Sequence, residues 1–151
     1  MWSLSVSNKY NLERFLKAQE FNYREALLEL RRGKKQSHWM WYVFPQALPL
    51  CFSATSRFYG ISSRGEAEAY LSHPILGLRI RECSSMVSES DADVTEMLGS
   101  VDARKLMASM TLFDHFGEGV FGDVLRKHYG GSREETTLAF LSVSDANFGG
   151  F

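Results

Sequence analysis

Cationic and aromatic side chains adjoin in the segment RRGKKQSHWMWYVFPQ, where one surface helix is predicted to end and another helix to begin. Lys35, Ser37 and His38 supply hydrogen-bond donors at the predicted start of the second helix, where free backbone N–H groups already favour an anion. Trp39 or Trp41 can place an indole face beside that anion. This combination suits a phosphorylated or nucleotide-like ligand. It also suits single-stranded nucleic acid, whose bases stack on aromatic rings.

The same segment has a plainer structural interpretation, which the sequence leaves open. Cations in the last turn of a helix complement its dipole and cap its carbonyl groups, which accounts for RRGKK. Tryptophan brings a large apolar surface, which accounts for WMWYVF as buried core. On this interpretation only the basic residues meet a partner, and the protein is a non-enzymatic interaction module.

A second group of polar side chains lies in the segment DARKLMASMTLFDH. Asp102, Lys105 and Ser109 are spaced by three and four residues, so they share one face of a predicted helix, while Thr111 occupies a different sector. An exposed Asp102–Lys105 ion pair is the structural alternative, and such a pair contributes little stability. Ser109 stands between apolar residues, and we expect its hydroxyl to bond to the backbone of the preceding turn.

The sequence lacks the spaced ligands and loops of common cofactor sites. Its four histidines are scattered without a pair at metal-ligand spacing, and its glycine-rich stretches lack the lysine and hydroxyl of a phosphate-binding loop. We therefore predict no metal and no cofactor. Cys83 falls on an apolar stripe and is expected in the core. Cys51, in the loop LPLCFSATS, is expected to be partly exposed, and nothing beside it in the sequence marks an activated thiol.

Composition places the chain among ordinary globular proteins. Its 151 residues are 44% hydrophobic and 23% charged, with a formal net charge of −1, so no global field attracts nucleic acid or a membrane. Two cysteines predict reduced thiols and a cytoplasmic location, and no signal peptide or membrane span is recognised. We predict one domain over residues 1–151, with its core at about 11–142 and a loosely ordered N-terminal segment and C-terminal tail.

Helical periodicity dominates the chain, and capping signals divide it into elements. NLERFLKAQ, after a cap at Asn11, and NYREALLELRRG, with a capping box at Asn22 and Glu25, are predicted as separate helices. Gly33 is expected to end the second of them in a left-handed conformation. SHWMWYVFPQ is predicted as a buried helix after a cap at Ser37.

Later capping residues predict the remaining helices. Ser63 caps one helix, Pro74 is the first residue of the next, and Asp93 and Ser132 cap two more. Apolar stripes that should face the core are predicted in the helix after Pro74 and in the helix of DARKLMASMTLFDH: Leu76, Ile80, Cys83 and Val87, and Leu106, Met110 and Phe113. No stretch combines strand alternation with hairpin turns. The predicted fold is all-α, a single compact domain of about seven to nine short helices.

Several motifs follow one another along nearly the whole chain: ERFLKAQ, EALLELRRGKKQSHWMWYVFPQ, FYGI, GEAEAYLSHPILGLRIREC, VDARKLMASMTLF, VFGDVLRKHYGG and TTLAFL. In type and order they resemble the family called domain of unknown function 1810. The resemblance implies an all-helical fold, of the type seen in a mycobacterial conserved hypothetical protein, and it brings no established activity. Some family members carry a calpastatin label. The residues do not support that label, because calpastatin acts through long disordered repeats and this chain is aromatic-rich and unrepeated.

The resemblance also marks a set of polar positions through their match to the family's motifs. These positions are Gln19, Lys35, Ser37, His38, Gln46, Tyr59, His73, Asp102, Lys105, Ser109 and Thr111. Two departures bear on function. Met107 and Ala108 stand where the family usually has arginine and serine, and ALPLCFS replaces a glycine-rich loop after FPQ. An anion site that used the family's arginine would be altered here.

The leading functional hypothesis is a pocket for an anionic or nucleotide-like small molecule. Its predicted residues are Lys35, His38, Trp39, Trp41 and Gln46, with Asp102, Lys105, Ser109 and Thr111 contributing from the second helix. His38 is the candidate catalytic residue, a general acid or base, since imidazole exchanges protons near neutral pH. Two alternatives stay open. One is a non-enzymatic protein-interaction or nucleic-acid-binding module, with nucleic acid the less expected partner. The other is a glycosidase-like enzyme acting on ADP-ribose-type nucleotides.

Overall fold

The chain is mainly helical over residues 9–143, the part that the computed structural model describes. Its elements are α1 (Glu13–Arg32), α2 (Met40–Val43), a 3-10 turn (Leu48–Leu50), α3 (Ala54–Phe58), α4 (Arg64–Ser72), α5 (Leu76–Glu89), α6 (Val94–Leu98), α7 (Ser100–Asp114), α8 (Val120–Tyr129) and α9 (Glu135–Ser142). The nine α-helices of this part confirm the predicted all-α class. The loosely ordered N-terminal segment and C-terminal tail that the sequence predicts fall almost entirely outside the described residues.

Helix α1 continues through a point where the sequence predicted a boundary between two helices. Its buried side includes Phe15, Ala26 and Leu30, which lie on both sides of the predicted boundary. Asn22 donates to Tyr42 Oη at 2.8 Å and does not cap a helix. The prediction of two helices is wrong because the apolar stripe continues, and a stripe that packs on a core outweighs a local capping signal.

The two ends of α1 differ in how well the sequence predicted them. The predicted cap at Asn11 is wrong. Asn11 has φ 52°, and Leu12, which makes no side-chain cap bond, precedes the first helical residue. Gly33 ends the helix as predicted. It has φ 76°, a left-handed conformation that glycine adopts without strain, and its N–H bonds to carbonyls of the last turn.

Helix α2 is a single turn at the centre of the molecule. It packs against α1, α5 and α7, and Trp39, which directly precedes it, is fully buried. The prediction that Ser37 caps a longer helix is wrong, because the Ser37 hydroxyl donates to Glu29 Oε2 at 2.5 Å and the helix begins only at Met40. An isolated turn is unstable in water, so the packing around α2 must stabilise it.

Side-chain caps set the starts of α4 and α5. Ser63 Oγ accepts a backbone N–H of the first turn of α4 at 3.1 Å, as predicted. Pro74 was predicted as the first residue of α5, and this is wrong because the helix begins at Leu76. His73 Nδ1 accepts the N–H groups of Ile75 and Leu76 at 3.1 and 3.2 Å, so the imidazole caps the helix.

The last four helices largely follow the sequence predictions. Asp93 caps α6 by accepting the Thr95 N–H at 2.7 Å. Helix α9 is capped by Glu134, which accepts the Thr137 N–H at 2.7 Å, and the predicted cap at Ser132 is wrong.

The predicted core stripes of α5 and α7 are confirmed as buried: Leu76, Ile80, Cys83, Val87, Leu106, Met110 and Phe113. Within residues 9–143 no helix is both long and apolar enough to cross a membrane.

Candidate functional site

The loop between α1 and α2 is organised by one buried carboxylate, Glu29. Its Oε1 accepts the backbone N–H groups of Gln36 and Ser37 at 2.7 and 2.9 Å. The same oxygen accepts the indole N–H of Trp39 at 2.9 Å, and Oε2 accepts the Ser37 hydroxyl. Four donors on one carboxylate fix the path of the chain from Gln36 to Trp39.

The charge of Glu29 is stabilised by these bonds. Burial opposes ionisation, but the hydrogen bonds from Ser37, Gln36 and Trp39 outweigh it and lower the pKa of the Glu29 carboxyl to about 2. The sequence analysis missed this residue. The available signal was its position, three residues after Ala26 on the buried side of α1, where a carboxylate must find partners.

Three predicted site residues come together where this loop meets the start of α7. Lys35 Nζ lies 2.9 Å from Asp102 Oδ2, and Lys105 Nζ lies 3.8 Å from Asp102 Oδ1. The Lys35 side chain is only 8% exposed, whereas that of Lys105 is 30% exposed. Lys35 Nζ also lies 5.4 Å from the ring centroid of Trp39, within cation–π range. Two ammonium groups therefore share one carboxylate beside an indole.

The other predicted residues of the first segment differ in accessibility. Trp39 is fully buried, so its ring faces contact the protein and not solvent. His38 is exposed, its ring centroid lies 6.5 Å from that of the half-buried Trp41, and its ring makes no hydrogen bond with residues 9–143. Gln46 is half-buried, and its backbone carbonyl accepts the Ile61 N–H at 2.8 Å.

Ser109 and Thr111 have different environments, although both are buried. The expectation that Ser109 bonds to the preceding turn is wrong, because its buried Oγ has no hydrogen-bond partner among the described residues. The Thr111 hydroxyl donates to the Met107 carbonyl at 2.8 Å and accepts the Glu134 N–H at 3.0 Å. It lines a separate cavity with Arg133, so it does not join the lysine group.

The two cysteines are both buried thiols. The expectation that Cys51 is partly exposed is wrong, since it lies in the core beside the 3-10 turn. Burial raises the pKa of the Cys51 thiol, and the nearby cations Arg57 and Lys105 oppose that rise without cancelling it. Cys83 is in the core as predicted, and burial raises its pKa to about 12. Neither thiol has the lowered pKa of an activated nucleophile.

The chemistry available at this site is recognition of negative charge. Lys105 supplies an accessible cation, and His38 is exposed in the neighbouring loop. Among the described residues no three histidine, cysteine, aspartate or glutamate side chains could hold a metal ion together.

Comparison with known proteins assigns the chain to a family. A family model described as "Protein of unknown function (DUF1810)" matches residues 9–141. The chain belongs to the DUF1810 family. Its structure is similar to the crystal structure of the conserved hypothetical protein Rv1873 from Mycobacterium tuberculosis, with 42% sequence identity and a TM-score of 0.88 over 90% of this chain and 99% of that chain. No curated protein matches this chain.

The first of the two departures of this DUF1810 chain from the expected family pattern lies on α7. Met107 is half-buried and contributes its carbonyl to Thr111, and Ala108 is buried. Neither side chain carries charge or a hydrogen-bonding group, so within the polar positions of α7 the cation that remains close to Asp102 is Lys105.

Proposed function

We propose that this DUF1810 protein binds a small anion, a phosphate- or carboxylate-bearing molecule, at Lys105. The observation that carries the proposal is the sharing of Asp102 by the ammonium groups of Lys35 and Lys105. Two positive charges and one negative charge leave an excess of one positive charge. A bound anion would balance it.

Burial decides which lysine is available to a ligand. Lys35 is nearly enclosed, and a buried ammonium must keep its carboxylate because an unpaired buried charge is strongly unfavourable. Lys105 is more exposed and stands farther from Asp102, at 3.8 Å, so its ammonium can turn toward a ligand. The pair of Lys35 with Asp102 then remains as a fixed support for the site.

Neighbouring groups extend the recognition surface. Ser109 lies one turn after Lys105 on the same face of α7. Its hydroxyl is fully buried and has no hydrogen-bond partner within residues 9–143, so it would gain a bond only from a ligand atom or a water that entered the core beside it. Exposed His38 and half-buried Trp41 lie beyond Lys35 in sequence and offer planar rings. These features favour a ligand with an anionic group and a planar part, such as a nucleotide.

The test is calorimetric titration of the full chain with inorganic phosphate, AMP and ADP-ribose. We expect saturable binding of at least one compound and a loss of about tenfold in affinity in Lys105→Gln, the value of a charge-assisted hydrogen bond. Lys127→Gln is the matched control. It removes a lysine that also pairs with an aspartate, Asp91 at 3.2 Å, elsewhere on the surface, and affinity should be unchanged. Failure of all three compounds to bind, or equal affinity in Lys105→Gln, would contradict the proposal.

Two further outcomes of the same titrations separate the alternative functions. Hydrolysis of the N-glycosidic bond of AMP or ADP-ribose by the wild type, with one water consumed and adenine released, and its loss in His38→Ala, would make the protein a glycosidase-like enzyme with His38 as acid or base. Binding that instead depends on the exposed cations Arg31, Arg32 and Lys34, and not on Lys105, would favour the interaction module.

A further inference from the structure

Two adjoining cavities share His115 at the carboxyl end of α7. The first, of about 270 Å³, lies between α7, the loop after α8 and α9, and Arg133, Leu138 and Leu141 contribute to its lining. The second, of about 280 Å³, is lined by His115 and Phe116 together with residues of α4. Neither cavity includes Lys35 or Lys105, so this region is separate from the anion site proposed above.

The polar part of the first cavity has unused hydrogen-bond donors. Arg133 pairs through Nη2 with Asp114 Oδ2, and its Nη1 reaches the Gly131 carbonyl at 3.5 Å. Its side chain is 41% exposed, and its Nε–H makes no hydrogen bond with residues 9–143. The ring nitrogens of exposed His115 likewise have no hydrogen-bond partner in that part of the chain. A ligand that carries a hydrogen-bond acceptor would supply a partner for both the guanidinium edge and the imidazole.

The apolar part of the same region is also incompletely covered. Leu138 is a large apolar side chain that is 43% exposed, and it lies beside buried Leu141 in the cavity lining. Phe116 is half-buried and packs edge-on against His115, with ring centroids 5.0 Å apart. Small-molecule sites commonly combine such an apolar wall with a few convergent polar groups.

The charge balance limits what the polar groups can accept. Asp114 already neutralises part of the charge of Arg133, and the second cavity adds one cation, Arg64, and one carboxylate, the exposed Glu68. Two guanidinium groups and two carboxylates leave no excess of positive charge, which disfavours a multiply charged phosphate. A singly charged, planar carboxylate matches the free edge of a guanidinium.

We infer that the two cavities at His115 form a second binding site, for a small monocarboxylate that carries an apolar group. The carboxylate bonds to Arg133 and His115, and the apolar group packs on Leu138, Leu141 and Phe116. Most of these contacts belong to the first cavity, whose volume of about 270 Å³ is below the usual volume for a drug-sized ligand, about 300 Å³ and above. The ligand is therefore of the size of a single ring or a branched aliphatic chain.

The test is calorimetric titration of the full chain with phenylacetate and with phenylacetamide, its neutral isostere. Phenylacetate should bind saturably, and phenylacetamide at least about tenfold more weakly, because the amide carries no negative charge and offers the guanidinium one acceptor oxygen instead of two. Arg133→Gln should weaken phenylacetate binding by about tenfold. Arg126→Gln is the matched control, because Arg126 is another surface arginine paired with an aspartate, Asp123, and it should bind as the wild type does.

The apolar contact has its own pair of variants. Leu138→Ala should weaken phenylacetate binding severalfold, while Val101→Ala, which shortens another exposed apolar side chain, should leave it unchanged. If thermal melting shows that Arg133→Gln is unfolded, the comparison of Leu138→Ala with Val101→Ala tests the inference, because substitution at these exposed positions should leave the fold intact. Absence of phenylacetate binding, equal binding of the amide, or loss of binding in Lys105→Gln would each overturn the inference. The last result would place the carboxylate at the other site.

Discussion

At the scale of single residues, Glu29 is the group that holds the candidate site in shape. Lys35 and His38 belong to the loop whose backbone and side chains bond to this carboxylate, so the position of the lysine pair depends on it. None of these bonds requires Glu29 to contact a ligand. It is a positioning residue, and its effect is expected first in stability and only then in binding.

Replacing Glu29 by glutamine should lower the free energy of unfolding at pH 7 by about 2–3 kcal/mol, because four donors lose a charged acceptor. The pKa of the folded carboxyl lies below its ordinary value of 4.5, at about 2. The stabilising contribution is therefore present above pH about 4.5 and is lost as the pH falls toward 2. Urea denaturation of wild type and Glu29→Gln should give stabilities that converge over this range.

The control for Glu29 is Glu25→Gln on the same helix. Glu25 is exposed and carries none of the loop contacts. The free energy of unfolding of Glu25→Gln should therefore differ from that of the wild type by a constant amount from pH 7 to pH 2. A constant difference between Glu29→Gln and wild type across the range would show that the loop does not depend on the charge.

At the scale of elements, the two ends of the helices explain both the successes and the errors of sequence prediction. Gly33, Ser63 and Asp93 act through bonds to their own neighbouring backbone, so a local pattern was enough to find them. Ser37 has the same side chain as a good cap, yet it bonds to Glu29, eight residues earlier. Glu29 could not be found by capping rules, because its partners come from a loop whose path depends on the tertiary fold.

The cap of α5 gives a pH-dependent prediction at the element scale. His73 Nδ1 accepts two N–H groups only while the imidazole is neutral, since a protonated nitrogen donates. Burial lowers the pKa of His73 below its ordinary value of 6.5, against the opposing charge of Glu13. Stability is therefore complete above pH about 6.5 and falls as the pH drops through the lower folded value.

Urea denaturation at pH 7.5 and 5.5 measures this effect above the range in which Glu29 titrates. Wild type should lose up to about 1 kcal/mol between the two pH values, the usual contribution of a cap. His73→Asn keeps a side-chain acceptor without a titrating ring, so its stability should change less. His38→Asn, at an exposed histidine, should keep the wild-type dependence. An unchanged pH dependence in His73→Asn would exclude the imidazole as its source.

At the scale of the whole molecule, segments far apart in sequence are joined by one buried ion pair. Arg14 and Glu66 lie 2.6 Å apart, and their side chains are 8% and 3% exposed. The remaining donors of Arg14 bond to the backbone carbonyls of Tyr10, Asn11, Phe58 and Gly60. The guanidinium thereby connects the start of α1 to the end of α3 and to α4.

Removal of one partner should be costly, because it leaves the other charge buried and unpaired. We expect Glu66→Ala to lower the free energy of unfolding by about 3–5 kcal/mol. Glu118→Ala breaks the exposed pair with Arg81, which also joins distant segments at 2.6 Å, and it should cost no more than about 1 kcal/mol. Chemical denaturation of the two variants makes the comparison, and similar losses would contradict the importance of burial.

The sequence predicted the whole molecule better than it predicted the site. Periodicity identified the all-α class and the core stripes of α5 and α7, because those features repeat along one helix. The sequence analysis placed Lys35 and Asp102 in one candidate site, but it did not predict that they form an ion pair. Its geometry depends on how α1, α2 and α7 pack, which no local pattern specifies.

The position of α2 bears on the order in which the chain folds. Starting a helix costs more than a single turn of hydrogen bonds returns, so Met40–Val43 cannot hold its shape before α1, α5 and α7 surround it. The longer helices α1 and α7 can begin to form from contacts within their own length. We therefore expect Met40–Val43 to take its native shape late in folding, after the longer helices α1 and α7 have begun to form.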